Sequence, residues 1–273
     1  MATARYIDTV PAPDPDQIRD KKVIILSWGR SGTMGLCKAL EILGHKTYNM
    51  PAVMQNGLPH IKMFREALAT KQTGEGIPYD RADFDKWLWD YDALSIVPSV
   101  LPEEIIQAYP DAKFILTKRE PAAWAKSYWN TIALVNHKVQ SFPGNVLKYL
   151  DPRFLNFSRL VDDLFNKSTK GKGYNEEGRQ NAMKCYASYN EGIPSLIPKD
   201  QLLVVKVEDG LGWEQICPFL GVEVPNVPYP RINDTKSFQK GTSVQLDKSK
   251  RKFSYLLGTM AVAVAVGTWY ILG

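Results

Sequence analysis

The stretch "VIILSWGRSGTMGLCKAL", residues 23–40, decides the reading of this chain. Val23, Ile24, Ile25 and Leu26 form an uninterrupted apolar run, the signature of a strand buried on both faces rather than one that alternates toward water. Trp28-Gly29-Arg30-Ser31-Gly32 breaks the run, and from Thr33 apolar side chains recur at helical spacing (Leu36, Leu40, Leu43). A buried strand, a tight turn and a helix start form the setting in which backbone N–H groups and the positive end of a helix meet an anion. Arg30 adds a permanently charged fork that matches phosphate or sulfate oxygens, and Ser31 and Thr33 add hydroxyl donors. The spacing predicts that the N–H groups from Ser31 to Met34 face into the turn. Nucleotide hydrolases carry Lys directly after the last Gly of G-x-x-x-x-G-K-[ST]; here Thr33 stands there, which argues against phosphotransfer from a triphosphate.

Working outward, strands are expected at 23–27, 45–49 (weaker), 93–97, 113–118 and 202–207. Helices are expected at 33–43, 60–70, 83–89, 102–108, 121–139, 175–193 and 213–220. Strands alternating with helices predict a three-layer α/β/α domain around a central parallel sheet, with ligands bound outside the carboxyl ends of the strands. That rule leads to a second loop, after 113–118, in "KFILTKREPAAWAKSYWNTI". Pro121 suits the first turn of a helix. Trp124, Ser127, Tyr128 and Thr131 share one face by i, i+3, i+4, i+7 spacing, which turns Ser127 back toward Arg119 as a second phosphate clamp.

The chain has 273 residues and a net charge of +5, a mild excess that attracts anionic ligands but is too diffuse for a nucleic-acid partner. Three widely spaced cysteines, an odd number, fit a reducing compartment, and without a Cys/His cluster no metal is expected. Residues 1–20 read as an extended Pro/Asp-rich arm and 21–247 as one domain. Residues 248–273 differ: Lys248, Lys250, Arg251 and Lys252 precede an uncharged apolar run, 253–273, long enough to cross a bilayer as a helix. This predicts a single-pass C-terminal membrane anchor whose basic flank keeps the domain cytosolic, with the endoplasmic reticulum as the expected membrane.

Together "GRSGT" and "REPAAWAKS" resemble the two donor-binding segments of sulfotransferases that use 3′-phosphoadenosine 5′-phosphosulfate (PAPS). The resemblance is to the fungal and invertebrate branch with Arg in the first loop. It extends through "LGHKTYNM", "YDALSIVP", "AYPDAKFILTKREPAAW" and "GWEQICPFLGVEVPNVPYPRIN", covering roughly residues 20–236. It implies that Arg30, Ser31, Gly32 and Thr33 hold the 5′-phosphosulfate, beside the Met34 N–H already expected in the turn, and that Arg119 and Ser127 hold the 3′-phosphate. The implied reaction is sulfonyl transfer to the hydroxyl or amine of a small lipophilic acceptor, releasing adenosine 3′,5′-bisphosphate.

Two positions depart from that pattern. The branch places an acid two residues before the Pro of "YDALSIVP", where this chain has Ile96, and a His where it has Asn49. His60 is the first substitute for the missing base, with His137 and Asp92 behind it. The gap also opens an alternative, in which the scaffold ionises and cyclises a prenyl diphosphate. Trp87, Trp89, Tyr91, Tyr128, Trp129 and Phe142 would then wall the cation.

Overall fold

The computed structural model describes residues 4–232. The C-terminal anchor expected at 253–273 and its basic flank lie outside the described residues. Among the described residues no helix is long and apolar enough to cross a membrane.

Five strands form one parallel sheet: β1 (Val23–Ile25), β2 (Thr47–Tyr48), β3 (Ala93–Leu94), β4 (Lys113–Lys118) and β5 (Leu202–Lys206), in the order β2-β3-β1-β4-β5. Eleven helices are described: α1 (Thr33–Ile42), α2 (Met50–Asn56), α3 (Leu58–Thr73), α4 (Arg81–Leu88), α5 (Pro102–Ala108), α6 (Pro121–Tyr128), α7 (Leu134–Gln140), α8 (Gly144–Leu147), α9 (Pro152–Thr169), α10 (Glu176–Gly192) and α11 (Trp213–Leu220). All five expected strands are present, each somewhat shorter or equal in length.

The pleat explains why β1 needs an unbroken apolar run. Ile24 and Leu26 join Leu94, Phe114 and Leu116 in a core with Ile61, Phe64, Phe84, Trp87 and Leu160 of α3, α4 and α9. Val23 and Ile25 point the other way, with Ala93 and Ile115, onto Leu36, Cys37 and Leu40 of α1 and Ile216 of α11. Both faces are covered, giving the expected three layers.

β1 lies between β3 and β4, so the strand order reverses around it, and the crevice at its carboxyl end is where such sheets bind ligands. Three helices were absent from the sequence expectation, α2, α8 and α9. The expected helix at 121–139 is interrupted: a π-helical turn, Trp129–Ala133, separates α6 from α7. Wide turns of this kind recur at functional sites, and this one begins two residues after Ser127.

Candidate active site

At the carboxyl ends of β1 and β4 lies an open cavity of about 450 Å³. Arg30, Gly32, Thr33, Met34, Arg119 and Ser127 line it, joined by Lys126 of α6, Asn130 of the π turn, and Val207 and Ile232. Three cations and no carboxylate face it, an arrangement that fits a ligand with several negative charges.

The first loop is shaped by two left-handed residues, Arg30 at φ 73° and Gly32 at φ 81°. Gly32 is the N-cap of α1, and a Cβ there would touch Val207 Cγ2 at 3.4 Å besides suffering the backbone strain. Three residues on, a Cβ at Gly35 would come within 2.8 Å of the Pro230 carbonyl oxygen, so glycine also lets α1 press against the Pro-rich segment that closes the cavity. The N–H groups of the first helical turn, Thr33 to Gly35, have no intrahelical acceptor by construction, and the helix dipole adds to their attraction for an anion.

Ser31 behaves differently from the expectation. Its N–H turns back to the Trp28 carbonyl (3.3 Å), and the residue is fully buried beneath the cavity. Its hydroxyl lies 2.9 Å from the hydroxyl of Tyr186 on α10. The tight turn that presents the helix end consumes the Ser31 N–H, so Ser31 shapes the floor while Gly32, Thr33 and Met34 reach the lining.

The two loops are stitched together. The Tyr186 hydroxyl also accepts the Arg119 backbone N–H (2.8 Å), and its ring stacks on Trp124 with centroids 4.1 Å apart. The Trp124 indole donates to the Gly29 carbonyl (2.9 Å), and the Thr117 hydroxyl at the end of β4 donates to the Ser31 carbonyl (2.6 Å). Tyr186, Trp124 and Thr117 thus fix the frame without facing the ligand; so distant a partner as Tyr186 left no mark in local sequence pattern.

Ser127 was expected to face Arg119. Its hydroxyl accepts from Arg30 Nε instead (3.2 Å), while Arg119 Nη1 reaches the Arg30 carbonyl (3.4 Å) and Arg119 Nε reaches Glu208 (3.4 Å). All three side chains still meet at one cavity, because α6 leans toward the first loop through the Trp124–Gly29 bond. Burial, and then the charge of Arg119, push the Arg30 guanidinium below its ordinary pKa. Both effects are unfavourable to the free protein, and a bound anion relieves the second. Lys126 and Asn130, one helical turn apart around Ser127, were missed although their i, i+4 spacing beside an expected ligand was there to read.

Of the proposed bases, none lines the cavity. His60 on α3 is half-buried with Nδ1 3.0 Å from the Tyr48 hydroxyl, which accepts from the Trp87 indole (3.1 Å) and so directs its own proton at His60. Burial pushes the His60 pKa down to about 4, and its ring is a neutral, weak base. His137 is exposed and stacks on Tyr174. Asp92, before β3, accepts the Lys46 N–H (2.8 Å) and pairs with Arg19 (3.1 Å) at the amino end of the sheet. Asn49 caps α2, accepting the Ala52 N–H (3.1 Å).

The aromatic wall imagined for a prenyl cation does not form. Trp87 and Tyr91 belong to the core under α3 and α4, Tyr128 and Trp129 to a separate cluster between α6, α9 and α10, and Phe142 is 82% exposed. Large rings gain most by burying their area in existing cores, and helical spacing alone could not tell a core face from a pocket face.

Comparison with known proteins agrees with this frame. The family model described as a sulfotransferase domain matches residues 22–238. The chain belongs to the sulfotransferase domain family. It is 34% identical over 218 residues to "Ava biosynthesis cluster protein M" of Aspergillus versicolor, an alignment covering 77% of this chain and 80% of that protein. A crystal structure of a sulfotransferase from Alicyclobacillus acidocaldarius aligns with 87% of this chain and 95% of its own, at 15% identity and a TM-score of 0.42. The chain is thus a sulfotransferase-family protein with an α/β fold and a central parallel sheet, and its family points to an enzyme of that type.

Proposed function

We propose that this protein transfers the sulfonyl group of PAPS to a hydroxyl or amine of a small lipophilic acceptor. The observation that carries the reading is the cavity at β1 and β4: three cations, a helix N-terminus and a serine, with no carboxylate in the lining. When bound, PAPS supplies an activated sulfonyl group on a phosphate leaving group. Arg30 and the first N–H groups of α1 stand where charge on that phosphate grows, and such fixed donors lower the barrier because they need no reorganisation. Arg119, with Ser127 and Lys126 beside it, selects the 3′-phosphate. Val207 and Ile232 offer the apolar side of the same cavity to the rest of the nucleotide.

One observation favours a second reading. Ile96 occupies the position where the family pattern leads one to expect an acid, and loss of a diphosphate needs a phosphate grip but no such base. The same binding experiment separates the two. Titrated calorimetrically into the full-length protein, adenosine 3′,5′-bisphosphate should bind, and Arg119→Ala should weaken it by about 1.5–3 kcal/mol, the range for charged hydrogen bonds. An unchanged dissociation constant removes Arg119 from the site. Binding of farnesyl diphosphate with none of the bisphosphate overturns the sulfonyl reading. We also propose that residues 253–273 anchor the protein; deleting them should move it from the membrane pellet to the supernatant.

A further inference from the structure

The segment that follows the site helix exposes three large apolar side chains within eight residues. Phe142, Val146 and Tyr149 are 82%, 47% and 63% exposed. Val146 and Tyr149, three residues apart, share one side of the α8 turn and the short 3₁₀ turn Lys148–Leu150 that continues it, and Phe142 stands exposed just before α8. The opposite side is fixed. Leu147 is 1% exposed, and Gly144 packs so closely that a Cβ would lie 2.6 Å from the Lys138 carbonyl on α7. These three side chains are therefore held outward by a packed support.

The charge around them is mainly positive. Residues 121–153 contain Lys126, Lys138, Lys148 and Arg153 against one acid, Asp151, in a chain with 29 acidic residues. Lys148 sits against the Tyr149 ring, its ammonium 5.8 Å from the ring centre, and Lys138 on α7 is exposed. Aromatic and aliphatic side chains flanked by lysines, with the one neighbouring carboxylate, Asp151, engaged in capping α9, match a surface that is apolar just below a layer of negative headgroups. Protein–protein interfaces are depleted in lysine relative to the rest of the surface, whereas this patch is flanked by two.

We infer that Phe142, Val146 and Tyr149, with Lys138 and Lys148, form a docking face for an anionic membrane surface. The face follows directly on the helical run, α6 through α7, whose start carries Ser127 and Lys126 to the cavity. Docking there fixes the orientation of the domain on the bilayer, a property separate from the identity of the donor and from anchoring by any other segment.

The test uses the full-length chain with Cys185→Ser, because Cys37 and Cys217 are buried and Cys185 is not. A nitroxide is placed by Asn145→Cys beside the patch or, as a control, by Asp111→Cys, an exposed position at the amino end of β4. With vesicles of phosphatidylcholine and phosphatidylserine, the label at 145 should become several-fold more accessible to oxygen and less accessible to a water-soluble nickel complex. The label at 111 should not change. Phe142→Asp with Tyr149→Asp should abolish the shift at 145 while bisphosphate binding persists, which also shows that the variant folds. Three results overturn the inference: a label at 145 that stays in water, protection at 145 before vesicles are added, or spin–spin broadening that marks a second copy on the patch.

Discussion

Two neighbouring strands, β1 and β3, each run into a loop that holds a non-glycine residue in the left-handed region, Arg30 at φ 73° and Ile96 at φ 64°. At Arg30 the unusual backbone has a visible return: it sets a half-buried guanidinium between Ser127 and the helix end, in a cavity lined by two other cations. At Ile96 it has none of that kind. A β-branched residue is poorly suited to this conformation, at a cost of about 1–3 kcal/mol. Its side chain packs on the larger core, and its carbonyl accepts the Ser99 hydroxyl (2.7 Å). The loop at β1 joins a left-handed backbone to a charged side chain that lines the cavity. The loop at β3 has the strained backbone with an inert side chain. Strain alone therefore does not mark a working site; strain that presents a charged group to a cavity does.

The largest effect should come from the β1 side. Arg30→Ala should lower turnover by about 10²- to 10³-fold, the usual loss when a donor to a developing charge is removed, with little change in the urea midpoint. Turnover within a few-fold of wild type would show that the helix end alone suffices and would erase the contrast between the loops.

The β3 side should respond to pH rather than to catalysis. His60 titrates near 6.5 when unfolded and is pushed down to about 4 in the fold by burial. The unfolded chain therefore takes up this proton first. Stability from the neutral ring is complete above pH 6.5 and is lost progressively as pH falls toward 4, by about 2–3 kcal/mol in all. Urea unfolding between pH 7 and pH 4 should show that slope, flattened in His60→Gln. If turnover instead followed a pKa of 6.5 and vanished in His60→Gln, the ring would be a working base after all.

This contrast also tells what the sequence could reveal. Arg30, Gly32, Thr33, Met34, Arg119 and Ser127 were legible because strand ends, glycines and basic residues are local signals, and the sheet rule brings such loops together. The Arg30–Ser127 bond was not, since it depends on how α6 leans, which the Trp124–Gly29 contact decides. Helix α9 was readable in principle: Asp151 caps it, Pro152 opens it, and Phe154, Phe157, Leu160 and Leu164 follow at helical spacing. The π turn after Tyr128 was not, because the side-chain period barely changes across it. Ile96 was legible as a departure from a pattern, but its backbone was not, since nothing in "LSIVP" announces a left-handed isoleucine.

Between the two loops in size stands the contact that joins β1 to β4. Tyr186→Phe removes the hydroxyl that accepts the Arg119 N–H and meets Ser31, leaving a donor without its partner. Such losses cost about 1–3 kcal/mol. We expect the lower end, about 1–2 kcal/mol in urea, because Arg119 is only partly buried and water can reach the N–H. Bisphosphate affinity should fall with it, whereas a purely structural tyrosine would lower stability and leave affinity unchanged.

The smallest effect should be at Ile96, where two terms oppose. Asn tolerates the left-handed region, so Ile96→Asn should recover on the order of 1 kcal/mol of backbone strain. It also gives up a half-buried apolar side chain, a loss of similar size given about 1.5–3 kcal/mol for full burial. The urea stability should therefore stay within about 1 kcal/mol of wild type. Ile96→Val separates the terms: it keeps the branched Cβ and the strain and loses one methylene, so it can only destabilise, by about 0.5 kcal/mol at a half-buried place. If Asn proves clearly less stable than Val, packing rather than backbone governs this loop. If Asn proves more stable than wild type, the isoleucine is tolerated at a cost, and the contact it makes in the core is not what maintains it there.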